Sequence, residues 1–356
     1  MIKFTRSSEE INSNGGFSFI HRLLDANPFM TQWDSPCSPR YNSPFCTSVI
    51  ARSMIGILAA GECDYASVEK FHNDFLFRLV AGGNVPSQET LRQRLGLLAK
   101  RAWQDVVASC VAWQLSRTKL TRVGHDGLLL IPLDIDVSVL EDTASRKEGI
   151  SRTYHNVDGH APIFCHAGSE GHMVANELRP GRQHSAKGAV EFLKRRIKIL
   201  QKAGCKAEEI LVRVDSGHDA SDFIQALEGL GVHCLVKRNP RAEDLRQLLD
   251  SIRNDAETRT PRPGKKVFHG TRADRKPAEF AADTHFGGFM VVEGVERTSL
   301  ANGQGLLIPE IEVDSWWTNL PCGWKKNHSS ALYLKRQKTI SFEKNPEFVQ
   351  RINRLI

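Results

Sequence analysis

Hydrophobic and polar residues follow two different periods along this chain, and the change of period divides it. Up to about residue 120, apolar residues recur every three or four positions, the spacing of a helix with one buried face. This predicts helices at Phe17 to Ala26, Thr47 to Ala60, Ala66 to Ala81 and Ala102 to Thr118. Gly82-Gly83-Asn84-Val85-Pro86 breaks the pattern in a turn, and Ser87 is placed to cap the short helix that follows, Gln88 to Leu95, extending toward Lys100. In that helix Leu91, Leu95 and Leu98 are expected to face a core, with Arg92, Arg94, Lys100 and Arg101 outside. A short basic helix after a turn suits a DNA groove; the plainer alternative is a solvated helix face.

From about residue 126 the period changes to that of strands. Leu128 to Val137 is an apolar run interrupted near its end by Asp134 and Asp136, and Ile210 to Val214 is a second run that ends at Asp215. Strand-like runs at 161–166 and 172–178 flank a hairpin signal at Gly168 to Gly171. A helix is predicted over 186–203, stopped by Gly204, with Val190, Leu193, Ile197 and Leu200 buried and Lys194, Arg195, Arg196 and Lys198 outside. A further helix at 220–230 and a strand at 232–237 follow. Three strands in a meander, then helix, strand, helix and strand, predict an α/β fold: an RNase H-like mixed sheet flanked by helices. Between about 240 and 315 the alternation stops, and short strands read as a β-rich insertion closed by Trp316-Trp317. Those tryptophans are expected in a core, with stacking on unpaired bases as the alternative. The predicted domains are therefore 1–122, helical and DNA-binding, and 123–356, a catalytic core with the insertion inside it.

The aspartates supply the candidate chemistry. Alternate strand residues share a face, so Asp134 and Asp136 point the same way. Carboxylates at two buried strand ends need a partner, and a hard divalent cation such as Mg²⁺ takes oxygen ligands. The competing account is a turn former or helix cap. Asp134 taken alone reads as a structural group, and the residues by themselves leave the choice between Asp134 and Asp136 open.

Composition narrows the partner. A net charge of +7 favours a polyanion. No apolar run approaches the roughly 18–20 residues of a membrane span. Met1 to Arg6 lacks the apolar segment of a signal peptide. The eight cysteines form no Cys-x-x-Cys pair, which argues against a zinc knuckle or disulfide framework and predicts a cytoplasmic protein.

Taken together, the motifs resemble those of a DDE transposase of a bacterial insertion sequence. Leu133-Asp134-Ile135-Asp136-Val137-Ser138 is similar to the family's first motif and favours Asp136 over Asp134. Leu178-Arg179-Pro180-Gly181 with His184-Ser185 matches a recurrent loop, Val212-Arg213-Val214-Asp215-Ser216-Gly217 the second motif, and Thr318-Asn319-Leu320 the strand leading out of the insertion. The resemblance implies Asp136 and Asp215 as catalytic metal ligands, Mg²⁺ or Mn²⁺ as cofactor, double-stranded DNA (element ends and target) as partner, and a homodimer holding both ends. It also implies a third carboxylate in a helix with the pattern Tyr, two residues, Arg, three residues, Glu. Tyr333 and Arg336 fit, but the glutamate position is Ile340; Glu343 is a weak substitute and Glu347 a weaker one. Relatives continue beyond the position of Ile356. A truncated, frameshifted copy is the expectation, with divergence or a misaligned helix as the alternative. Two functions follow: an active strand-transfer enzyme, or an inactive remnant that binds DNA or a full-length transposase. A host nuclease on the same fold is a third, against which the loop and insertion motifs argue.

Overall fold

The helical spacing before residue 120 is realised as α1 (Phe17–Ala26), α2 (Thr47–Ala59), α3 (Phe75–Ala81), α4 (Gln88–Leu98) and α5 (Gln104–Ser116). The computed structural model describes residues 14–34, 44–98, 103–144, 146–273 and 287–321. Its contacts divide the chain into two units, the first running to Gln114 and the second starting at Leu115. Among the described residues no helix is long and apolar enough to cross a membrane.

The first unit packs around Phe17, Phe71 and Phe77. The Phe71 and Phe77 rings stack at 4.6 Å, and Phe17 meets both edge-on at 5.6 and 5.3 Å. Gly56 of α2 lets the helix approach that cluster, since a Cβ there would lie 2.7 Å from Phe77 Cε2. The helix expected over 66–81 is broken in two. A 3₁₀ segment, Tyr65–Phe71, precedes α3, and Asp74 caps α3 by accepting from the Phe77 amide at 2.9 Å. A side-chain acceptor at that position satisfies an orphan amide of the new helix and so starts a second one.

Arg94 of α4 departs from expectation. It is buried, donating to the Phe45 carbonyl at 3.0 Å and to Thr47 Oγ1 at 3.3 Å, so its charge fastens α4 to the start of α2. Arg92 is exposed but pairs with Glu89 at 2.6 Å. Lys100 and Arg101 lie outside the described residues.

The second unit is built on one large mixed sheet. Its strands are β1 (Val123–His125), β2 (Leu128–Val137), β6 (Ile163–Ala167), β7 (His172–Glu177), β8 (Ile210–Val214), β9 (His233–Lys237), β10 (Glu257–Arg262), β11 (Lys265–Arg272), β12 (Phe289–Ser299) and β13 (Gly305–Thr318). Three very short strands, β3 (Leu140–Glu141), β4 (Ser151–Arg152) and β5 (Asp158–His160), form a separate sheet after β2. The helices are α6 (Ala189–Lys202), α7 (Ser221–Gly229) and α8 (Leu245–Asp250). The large sheet runs β10-β11-β12-β13-β9-β8-β2-β6-β7, with β1 paired to β2. The meander β2-β6-β7 is antiparallel, whereas β8 runs parallel to β2 and β9 parallel to β8. This is the RNase H-like order. β2 and β8 are interior strands covered on both faces, which explains their unbroken apolar runs.

The segment read as an insertion extends this same sheet. β13 is antiparallel to β9, with Trp316 opposite Lys237 and Thr318 opposite Leu235. Trp316 and Trp317 are buried, so core packing is what the structure gives and base stacking is not. Thr318-Asn319-Leu320 fastens the return strand. Asn319 accepts from the Cys234 amide at 2.8 Å and donates to the Val232 carbonyl at 2.9 Å, and Thr318 Oγ1 donates to the Cys234 carbonyl at 2.7 Å.

Candidate active site

Asp134 and Asp136 lie on β2, and the parallel pairing with β8 fixes what stands beside each. The register places Asp134 opposite Arg213 and Ile135 opposite Val214, so the next positions along the two strands are Asp136 and Asp215. Asp215 keeps an extended backbone (φ −80°, ψ −179°) and so continues the alternation of β8 onto the face of Arg213. One face of the ladder therefore carries the Asp134–Arg213 pair, and a second rung, the positions Asp136 and Asp215, follows just beyond the last paired residues, Ile135 and Val214.

The first rung is an ion pair. Arg213 Nε and Nη2 donate to the two carboxylate oxygens of Asp134, each at 2.6 Å, and both side chains are 1% exposed. This fork geometry occupies both oxygens of Asp134. The second rung is more open. Asp136 is half-buried, accepts from the Val137 amide at 3.0 Å, and has Phe164 as its neighbour on β6. Asp215 is 41% exposed at its side chain and caps the 3₁₀ turn Ser216–His218. Two carboxylates on one open rung have the hard oxygen chemistry that a divalent cation requires. Among the described residues, no group of three or more His, Cys, Asp or Glu side chains is arranged to hold a metal. Ile340, Glu343 and Glu347, the positions that bear on the third carboxylate, lie outside the described residues.

The loop after β7 braces this site. Arg179 is buried and donates to Glu177 at 3.1 Å and to the Ser185 carbonyl at 3.4 Å. Gly181 is required: a Cβ there would meet the Ser151 and Gly159 carbonyls at 2.2 and 2.3 Å. Ser185 packs against Gly217 in the turn after Asp215. Arg196, expected on the basic face of α6, is instead buried with its guanidinium 4.3 Å from the centre of the Phe192 ring. The stem and plane of an arginine pack well on an aromatic face. The exposed basic residues of α6 are Lys194, Lys198 and Lys202, on one line of the helix.

His166 lies opposite Asp134 on β6 and is 2% exposed. Burial pushes its imidazole down to about 4, against a smaller opposite pull from Asp134. The unfolded value is 6.5, so between pH 6.5 and 4 the unfolded chain holds a proton that the folded chain does not. The neutral histidine's contribution is complete above pH 6.5 and declines as pH falls toward 4. His166→Leu should flatten the fall of Tm across that window. It should not abolish it, because burial also lowers His233 and His269. A wild-type slope in the variant would place the acid sensitivity elsewhere.

No curated protein matches the sequence. Among solved structures, the chain is similar to a piggyBac transposase synaptic complex with hairpin DNA, at 10% identity over 91% of this chain and with a TM-score of 0.41. It spans 65% of that protein's length. A Mos1 transposase paired-end complex with left transposon end matches at 12% identity, 63% of this chain, 78% of that one and a TM-score of 0.21. The model of the transposase DDE domain group 1 family matches residues 2–292, covering both motif aspartates and the loop between them, and the chain belongs to that family.

Proposed function

We propose that this protein is an insertion-sequence transposase that cleaves double-stranded DNA at element ends and joins it to target DNA. Asp136 and Asp215 would hold the divalent metal, Mg²⁺ or Mn²⁺. The observation that supports this reading is the register of β2 and β8, which pairs Asp134 with Arg213 and so leaves Asp136 and Asp215 two positions further along the same two segments. A divalent ion held by Asp136 and Asp215 would supply activation of a water or 3′-hydroxyl and stabilisation of the leaving oxygen. The chain's own part is to fix the two carboxylates on rigid neighbouring strands, with the apolar Phe164 on one side. Exposed Lys194, Lys198 and Lys202 would meet DNA phosphates, and two copies of the chain would hold the two ends.

Ile340 at the expected glutamate position favours a second reading, an inactive remnant that binds DNA or a full-length transposase. One assay separates the two. Supercoiled plasmid carrying the DNA that flanks the coding region is incubated with the protein and Mg²⁺ or Mn²⁺. The enzyme reading expects nicking that EDTA abolishes. Binding in a gel shift without nicking by either metal would establish the remnant.

A further inference from the structure

Asp215 is held by more than its strand. His218, three residues on, is fully buried, with Nδ1 2.8 Å from Asp215 Oδ1. The Gly217 amide donates to the same oxygen at 3.2 Å. The far nitrogen of the ring, Nε2, is enclosed and has no hydrogen-bond partner, and the ring lies 5.5 Å from that of Phe223. The geometry selects the tautomer. A proton on Nδ1 meets a carboxylate oxygen, whereas a proton on Nε2 would leave a buried donor unsatisfied and turn two lone pairs toward each other. Ser185 closes the turn from behind, because a Cβ on Gly217 would lie 3.0 Å from Ser185 Oγ.

We infer that His218 is a positioning residue that fixes the orientation of the Asp215 carboxylate as a ligand for a divalent cation. The inference rests on the proposed role of Asp215 as a ligand. A carboxylate on a short turn rotates about two torsions, and each rotation would turn it away from a bound ion. Two donors converging on one oxygen remove that freedom before the ion arrives. Partners of this kind raise metal affinity without touching the ion.

The test compares the wild type with His218→Asn, His218→Phe and Asp215→Asn. Asparagine can present a donor near the position of Nδ1, whereas phenylalanine keeps the ring and loses the donor. Mn²⁺ affinity is read from the electron paramagnetic resonance signal of the free ion, alongside the Mg²⁺ concentration dependence of plasmid nicking and Tm. His218→Phe should weaken Mn²⁺ binding about tenfold, the lower range for loss of such a partner. His218→Asn should bind close to wild type, which a purely packing role would not produce. If His218→Phe does not fold, His218→Leu removes the same donor in a smaller side chain. Wild-type affinity in the donor-less variant, with Asp215→Asn weakened, overturns the inference and leaves Asp215 as a ligand. Equal affinity in all four proteins overturns the reading of Asp215 as well.

Discussion

Asp136→Asn is expected to abolish metal-dependent nicking while leaving stability close to that of the wild type. Asparagine has nearly the same shape, and its side-chain oxygen can still accept from the Val137 amide that Asp136 engages at 3.0 Å. The residue is half-buried, so the exchange of a charged for a neutral group of the same shape falls at the edge of the core. What is lost is one of two carboxylates on the open rung. A metal ion supplies several kcal/mol of charge stabilisation, which corresponds to at least about a hundredfold in rate. Nicking at the wild-type rate, with Tm unchanged, would remove the catalytic role from this strand.

Asp134→Ala should do the opposite and strike the fold. It leaves the Arg213 guanidinium, 1% exposed, with neither of its two bonds to carboxylate. Breaking one side of a buried ion pair costs about 3–5 kcal/mol, because the remaining charge stays desolvated. Urea unfolding should show that loss in the second unit. The double variant Asp134→Leu/Arg213→Met should recover most of it, since a buried pair can often be replaced by apolar groups at little cost. A single variant as stable as the wild type would mean that the pair holds nothing together. The two neighbouring aspartates are thus separable: one loss appears in chemistry, the other in denaturation.

The parts of this architecture visible in the sequence are those where burial is one-dimensional. β2 and β8 are covered on both faces, so the sequence runs apolar and then stops at a carboxylate. α1 and α6 each bury one stripe, and helix spacing finds them. β10 was not visible, because Glu257 to Arg262 is polar and sparsely buried. β3, β4 and β5 span two or three residues each, too short for any period to show. Arg94 and Arg196 depart from the helix pattern for a common reason. Residue type gives an arginine's charge, but not the carbonyl or ring that receives its head. The role of Asp134 did leave a trace. Asp134 and Arg213 stand two positions before Asp136 and Asp215 respectively, an equal offset that in-register parallel strands turn into a direct pair. The third carboxylate position gave no comparable signal, since Ile340 stands where the family pattern asks for glutamate.

The bond between Asn319 and β9 also has a consequence in time. It joins residues 85 and 87 positions apart, closing the whole excursion from β9 through β10, β11 and β12. Closing a flexible loop of that length costs about 4 kcal/mol of chain entropy. The meander β2-β6-β7 joins partners nearer in sequence and can form first, whereas Ile131 of β2 and Ile210 of β8 stand about as far apart along the chain as Lys237 and Trp316. Distant pairings form late, because the entropy is lost before the contacts repay it. Pairing of β8 with β2 and docking of β13 against β9 are therefore both late events in folding. A chain halted before β13 docks would leave one edge of β9 open to the β13 of another molecule.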